Sequence, residues 1–228
     1  ALGHEVHLFY GSEPENWRLD PVREDKLPFP ATCLPFRRAE AKPEIFAKRF
    51  REAVDGWKPD VVFMCFGFFM KPAVSLALSH YPQVARFYAY EMFCPRDYRM
   101  FWKTHVCPYN YLKTPNVCRR CTINGFFKPM VQGNVEGYAR EYEQSQAWTH
   151  QYYEDTITAL KGYKAVIVYN HFTKGLLADF TDKVHVIGGG VHLQDFAYLP
   201  LKPKGKDERK IIFISGRLAD YTKGIKTL

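Results

Sequence analysis

The sequence predicts an α/β fold with a doubly wound parallel sheet. Three observations predict it: extended apolar runs alternate with helical patterns, one run is apolar on both faces, and glycines and prolines stand at the junctions. Strand, helix and strand in this order form right-handed crossovers and therefore parallel strands. Of the 228 residues, 46% are hydrophobic and 25% charged, which excludes a disordered or collagen-like chain.

The predicted elements follow one another in a regular order. Alternating apolar residues predict a first strand over 5–10, and an apolar face predicts a helix from Pro43 with Gly56 near its end. The run from Val61 to Phe66 is typical of a central strand that is buried on both faces. The remaining predictions are helices over 73–79, 135–160 and 171–180, and strands over 84–88, 165–168 and 184–187.

The chain divides into two predicted domains and a linker. Residues 1–196 form the first domain, with a Cys-rich insertion over 94–133. Residues 197–209 are a linker rich in Pro, Gly and Lys, and residues 210–228 begin a second domain with a buried strand. Gly3 follows the pattern of a helix end, so we expect that a first strand and helix are missing and that the sequence is a fragment.

The net charge of +8 favours anionic partners: nucleic acid, an acidic membrane surface or a phosphorylated small molecule. The basic residues are scattered, and their densest groups contain or adjoin acids, Pro or Gly, which favours a solvated surface over a nucleic-acid interface. The longest apolar run, Val61 to Met70, is shorter than the roughly 18 residues of a membrane span. We expect a cytoplasmic protein without nucleic acid or a membrane span, for which peripheral membrane contact stays open.

One candidate binding motif lies between a buried strand and the start of a helix, over 215–224. Gly216 lets a ligand approach the backbone, Arg217 offers a planar fork to phosphate oxygens, and Lys223 adds a second positive charge. The three residues suit a diphosphate. An ordinary turn with two solvated cations explains the same pattern.

The insertion carries a second candidate site. It holds Cys94, Cys107, Cys118 and Cys121, the last two as a CxxC pair, and His105 is a spare ligand. Four thiolates can bind zinc tetrahedrally, and a long loop with little core would gain stability from the metal. Because the spacing of the first two cysteines is irregular, free thiols or a disulfide stay open as alternatives.

The motif over 215–224 resembles the start of the donor domain in family-four retaining glycosyltransferases, whose GT-B architecture has two Rossmann-like domains. Three other segments keep the family's order. Leu2–Val6 resembles its Gly-His-Glu-Val, Ala165–Asn170 resembles its strand ending in a polar residue, and Ile187–Phe196 resembles its Ile-Pro-Asn-Gly-Val-Asp segment before the linker. The last segment departs from the family at His192, where an Asp is usual.

Many members carry a His that faces the transfer site shortly before a Cys-Pro pair. Aligned on Cys94, that position holds Tyr88, so the resemblance implies that Tyr88 or Glu91 hydrogen-bonds a sugar hydroxyl. A core aromatic at the end of a strand is the alternative interpretation of Tyr88.

The resemblance implies transfer of a sugar from a nucleotide diphosphate sugar to a carbohydrate or lipid-linked acceptor, with retention of configuration. Arg217 and Lys223 would stabilise the leaving diphosphate together with the backbone at Gly216, and catalysis would need no bound metal. Two other interpretations stay open. One is a zinc-stapled module that binds nucleic acid and transfers nothing, and the other is a different Rossmann-type nucleotide-sugar enzyme such as an epimerase.

Overall fold

The computed structural model describes seven stretches of the chain: 3–12, 22–40, 42–65, 68–96, 100–102, 105–131 and 144–190. The chain up to Gly189 clusters as one unit. The predicted linker, the predicted second domain and the residues Gly216, Arg217 and Lys223 lie outside the described residues, as does the boundary at residue 196.

Strands and helices alternate along most of the described chain. The strands are β1 (Leu8–Ser12), β2 (Ala31–Pro35), β3 (Val62–Met64), β4 (Gln83–Arg86), β5 (Phe101–Trp102), β6 (His105–Val106), β7 (Ala165–Val168) and β8 (Val184–Val186). The helices are α1 (Pro43–Trp57), α2 (Lys71–Ala77), α3 (Pro115–Val131), α4 (His150–Gly162) and α5 (His171–Leu177).

The main sheet has four strands in the order β3-β4-β7-β8, and all three pairs are parallel. β1 and β2 form a separate parallel pair, and β5 and β6 form a short antiparallel hairpin. This mixed α/β structure with parallel sheets confirms the predicted fold class at that level and is compatible with a Rossmann-like fold.

One face of the main sheet is buried by helices. Ala85, Val166 and Val168 of β4 and β7 are fully buried there and belong to the core cluster that includes residues of α2 and α4. The Tyr163 hydroxyl at the end of α4 lies 2.7 Å from the Ser75 hydroxyl of α2, so a buried hydrogen bond joins the two helices.

The opposite face of the main sheet is more open. Side chains alternate between the two faces of a strand, and in β4 Ala85 is buried whereas Val84 and Arg86 are half-buried. Phe63 of β3 is about half exposed.

The run from Val61 to Phe66 was predicted as a central strand, and this prediction is wrong within the described residues. β3 is the end strand of the main sheet and pairs with β4 alone. Val61 and Phe63 are about half exposed. A continuous apolar run therefore marked a strand but not its place in the sheet.

The predicted helix over 135–160 also needs correction. α4 begins at His150, where the Thr149 hydroxyl accepts the backbone N–H of Tyr152 at 3.1 Å, and a short 3-10 turn over Gln146–Trp148 precedes it. This side-chain cap starts a new helix and interrupts the predicted one. Residues 132–143 lie outside the described residues.

The Cys-rich insertion contains more regular structure than the sequence suggested. α3 holds both cysteines of the CxxC pair. Tyr111 and Cys118 also form a small core with Phe69, Ala147 and Tyr152, outside the main cluster. The insertion thus has its own buried side chains. A search of the described stretches for a helix long and apolar enough to cross a bilayer found none.

Candidate functional site

The candidate site lies at the carboxyl edge of the main sheet. Three residues follow the ends of three neighbouring strands there: Cys65 follows β3, Tyr88 follows β4 and Tyr169 follows β7. Ligands of open parallel α/β sheets bind at this edge, because the loops that follow the strands meet there.

Arg86, Tyr88 and Tyr169 form what we call the carboxyl-edge cluster. The guanidinium carbon of Arg86 lies 5.3 Å from the ring centre of Tyr88 and 4.7 Å from that of Tyr169. The two rings are 5.8 Å apart and inclined by 55°. The backbone explains the grouping: Arg86 pairs with Ile167, so residues two positions further along each strand point to the same side.

Both tyrosine rings of the cluster are accessible. The residue exposure is 47% for Tyr88 and 36% for Tyr169. Partial desolvation raises the pKa of Tyr88, and the nearby Cys65 thiol raises it further. The phenol of Tyr88 is therefore protonated at neutral pH and can donate a hydrogen bond to a ligand.

The Arg86 guanidinium contacts two aromatic rings. Its Nε atom is buried and has no hydrogen-bond partner. Among the described residues, no carboxylate lies within ion-pair distance of its guanidinium. A charged guanidinium between two rings at the carboxyl edge, with no carboxylate partner among the described residues, is a candidate ligand-binding group.

A buried ion pair lies behind the cluster. Lys71, the first residue of α2, places its Nζ 3.1 Å from Oε1 of Glu91, and the two residues are only 3% and 6% exposed. The same Nζ donates to the carbonyl oxygen of Arg86 at 3.2 Å and to that of Cys65 at 3.5 Å. It therefore joins the ends of β3 and β4 to the segment that follows Tyr88.

The second oxygen of Glu91 accepts the backbone N–H of Ala89 at 3.2 Å. The carboxylate thus fixes the residue that comes directly after Tyr88. Burial lowers the pKa of Lys71, and the charge of Glu91 opposes that shift. The ammonium also lies 4.2 Å from the centre of the Phe87 ring, which favours the charged form.

Tyr88 and Glu91, the two residues predicted to contact the sugar, differ in their exposure. Tyr88 is exposed at the edge, as a ligand-binding residue must be, and is not a buried core aromatic. Glu91 is buried and holds both Lys71 and Ala89, so its carboxylate positions the segment that carries Tyr88. Contact of either residue with a sugar hydroxyl stays a prediction.

Asn170, the polar residue at the end of β7, has a structural partner. Its Oδ1 accepts the backbone N–H of Thr173 at 2.8 Å and the Thr173 hydroxyl at 3.0 Å. Asn170 is thus the N-cap of α5, which explains a polar residue there without a ligand.

The four cysteines of the insertion gather near α3. Burial raises the pKa of the Cys118 thiol to about 11, and the nearby thiols of Cys94, Cys107 and Cys121 act in the same direction. Arg96 approaches Cys121 to 3.5 Å. In the part of the chain that the structure describes, however, no group of three or more His, Cys, Asp or Glu side chains is arranged to hold a metal. The zinc site stays a prediction.

Arg86, Tyr169 and Lys71 belong to the site but were not predicted from the sequence. The alternation of Arg86 and Tyr88 along an extended strand placed them on one face and was a signal for the first. Tyr169 follows another predicted strand, and the shared carboxyl edge was the signal for it. Lys71 gave none, because its partner lies 20 residues away.

Comparisons of the chain with protein-family models, with curated proteins and with solved structures gave no match. Fold and site together define a mixed α/β protein with parallel sheets and a cluster of two tyrosines and an arginine at the carboxyl edge.

Proposed function

We propose that the protein is a retaining glycosyltransferase of GT-B architecture and that the described residues belong to its acceptor-binding side. The observation that carries the proposal is the exposed pair Tyr88 and Tyr169 at the carboxyl ends of adjacent parallel strands. Tyr88 is also the residue that the family resemblance aligns with the histidine facing the transfer site.

The cluster has the chemistry that a sugar ring requires. The apolar C–H groups of a pyranose pack on an aromatic face, and a tyrosine adds a hydroxyl that bonds the sugar's own hydroxyls. Tyr88 and Tyr169 supply two such faces, 5.8 Å apart. Glu91 and Lys71 hold the segment behind Tyr88, so the platform is fixed before the ligand arrives.

The donor in this proposal is a nucleotide diphosphate sugar. The residues that would bind it lie outside the described part of the chain. Arg217 and Lys223 neutralise the charge that develops on the leaving diphosphate, and Gly216 lets its oxygens approach the backbone. The acceptor is a carbohydrate or a lipid-linked carbohydrate. Catalysis uses no bound metal, and zinc, where present, is structural.

The full-length protein tests the proposal. With the matching donor and acceptor sugars, we expect release of nucleoside diphosphate that depends on the acceptor. Tyr88→Ala should raise the acceptor KM about fivefold, since an aromatic contact contributes on the order of 1 kcal/mol. Tyr88→Phe should retain the stacking part of that affinity.

Tyr109→Ala is the matched control, because Tyr109 is 48% exposed but lies in the insertion. It should leave the acceptor KM unchanged. If no nucleotide sugar is consumed with any acceptor, or if both alanine variants behave alike, the proposed function is wrong.

A further inference from the structure

We propose that Arg86 binds an anionic group, a phosphate or a carboxylate, on the sugar that rests against Tyr88 and Tyr169. The inference rests on the proposed function only in calling that sugar the acceptor. The binding itself requires the carboxyl-edge cluster and no transfer.

Arg86 and Arg49 both stack on aromatic rings, but their guanidinium groups have different further contacts. The guanidinium of Arg49 lies 4.4 Å from the centre of Phe36, and it also donates to the carbonyl of Pro35 at 2.6 Å and approaches Glu40 to 3.8 Å. Arg86 contacts two rings, yet its buried Nε has no acceptor. Arg49 thus has a carbonyl and a carboxylate beside its guanidinium, whereas among the described residues the Arg86 guanidinium has ring contacts and no acceptor.

Two charged side chains, Lys71 and Glu91, lie close to the strand end that carries Arg86. Glu91 is the acid nearest in the chain, and Lys71 at 3.1 Å already neutralises it. The Lys71 Nζ also bonds the backbone carbonyl of Arg86, which adds a second positive charge close to the same strand end. These three side chains, two cations and one buried carboxylate, together carry a net positive charge.

The guanidinium of Arg86 and the two tyrosine rings together indicate which ligand would fit the carboxyl-edge cluster. A guanidinium matches the oxygens of phosphate or carboxylate in a planar, two-bond geometry, and these charge-assisted bonds are about twice as strong as neutral ones. The flanking rings of Tyr88 and Tyr169 favour a ligand that also has a ring to stack. The shared chemistry is therefore an anionic sugar, such as a sugar phosphate or a uronate.

Direct binding to the full-length protein tests the inference. The probes are the 1- and 6-phosphates of glucose, galactose and mannose, the corresponding uronates, the neutral hexoses and inorganic phosphate, measured by isothermal titration calorimetry. We expect at least one anionic sugar to bind about tenfold or more tightly than its neutral parent. Inorganic phosphate, which cannot stack, should bind more weakly than that sugar phosphate. The preference between phosphates and uronates identifies the anionic group.

Substitutions locate the binding. Arg86→Gln should reduce the affinity to that of the neutral sugar, and Arg86→Lys should restore part of it, because an ammonium lacks the fork. Arg49→Gln is the matched control and should leave the affinity unchanged. Thermal unfolding of each variant confirms that the titrations are made on folded protein.

Three results would overturn the inference: no binding of any anionic probe, equal affinity for neutral and anionic sugars, or unchanged affinity in Arg86→Gln. The fate of the proposed function is separate. Anionic binding without any transfer would contradict the transferase and keep the anion site, whereas sugar transfer by a protein that binds no anionic probe would do the reverse.

Discussion

At the scale of single residues, the Lys71–Glu91 pair is a costly way to fix a loop. Both charges are almost fully removed from water, and a buried ion pair often adds no net stability over apolar residues of the same size. The pair does, however, join the ends of β3 and β4 to Ala89. The ion pair lies directly behind Tyr88. Fixing the position of Tyr88 would explain why an ion pair is present where apolar residues would cost less.

Lys71→Met tests that interpretation. It leaves the Glu91 carboxylate buried without its partner, so we expect the free energy of unfolding to fall by about 3–5 kcal/mol. The double variant Lys71→Met with Glu91→Leu should recover much of the loss, because the uncompensated charge is gone. Urea unfolding of the single and double variants measures both quantities.

The exposed pair Lys48 and Glu52, 3.9 Å apart on α1, is the control. Lys48→Met should change the free energy of unfolding by less than about 1 kcal/mol, because exposed ion pairs are weak. If Lys71→Met is as mild as Lys48→Met, the pair does not hold the loop.

At the scale of elements, the sequence predicted best where local signals set both ends. β7 has the bounds that the sequence predicted, 165–168, and α1 begins at Pro43 as predicted. The predicted end of the helix at residue 160 is also close, because α4 ends at Gly162. A proline in the first turn and a glycine at an end act through the local backbone and need no distant partner.

The sequence failed where a neighbour far along the chain decides. β3 is apolar on both faces, but its place in the sheet depends on pairing with β4, which the run of residues cannot encode. The separate start of α4 depends on one hydroxyl, that of Thr149, within a pattern that otherwise continues as a helix. Both errors arose from extending a local pattern past the point where another interaction dominates.

α3 is the element on which the zinc hypothesis depends. If Cys94, Cys107, Cys118 and Cys121 hold zinc, elemental analysis should find about one metal per chain, and Cys118→Ser with Cys121→Ser should abolish it. Binding would also convert Cys118 to a thiolate at neutral pH, against the raised pKa of about 11 that it has without metal.

Cys33→Ser with Cys65→Ser is the control pair, since both cysteines lie outside the insertion. It should leave the metal content unchanged. Metal-free protein in which the four thiols of the insertion titrate freely would contradict the hypothesis.

At the scale of the whole molecule, the sequence predicted the sheet edge better than the site on it. The order of strands and helices fixed which loops share the carboxyl edge, and Tyr88 was named from its distance to Cys94. The partners of Tyr88 could not be named in the same way, because Tyr169 lies 81 positions further along and meets it only through the pairing of β4 with β7. Contacts within the site therefore could not be predicted where they depend on the register between strands.

The proposed transferase divides its work between two groups of residues, and substitutions should separate them. In the full-length protein, Arg217→Ala or Lys223→Ala should remove on the order of 2–4 kcal/mol of transition-state stabilisation, or about 30- to 1000-fold in turnover. Arg217→Lys should recover only part of it, because an ammonium cannot reproduce the guanidinium fork. Steady-state kinetics with both substrates varied should show the loss in kcat and donor affinity, with the acceptor KM nearly unchanged. Tyr88→Ala should raise the acceptor KM and leave kcat and the donor affinity nearly unchanged. If Arg217→Ala and Lys223→Ala fold and keep wild-type turnover, the two cations belong to a solvated turn, and the donor half of the proposal fails while the carboxyl-edge cluster still stands to be tested by its own ligand.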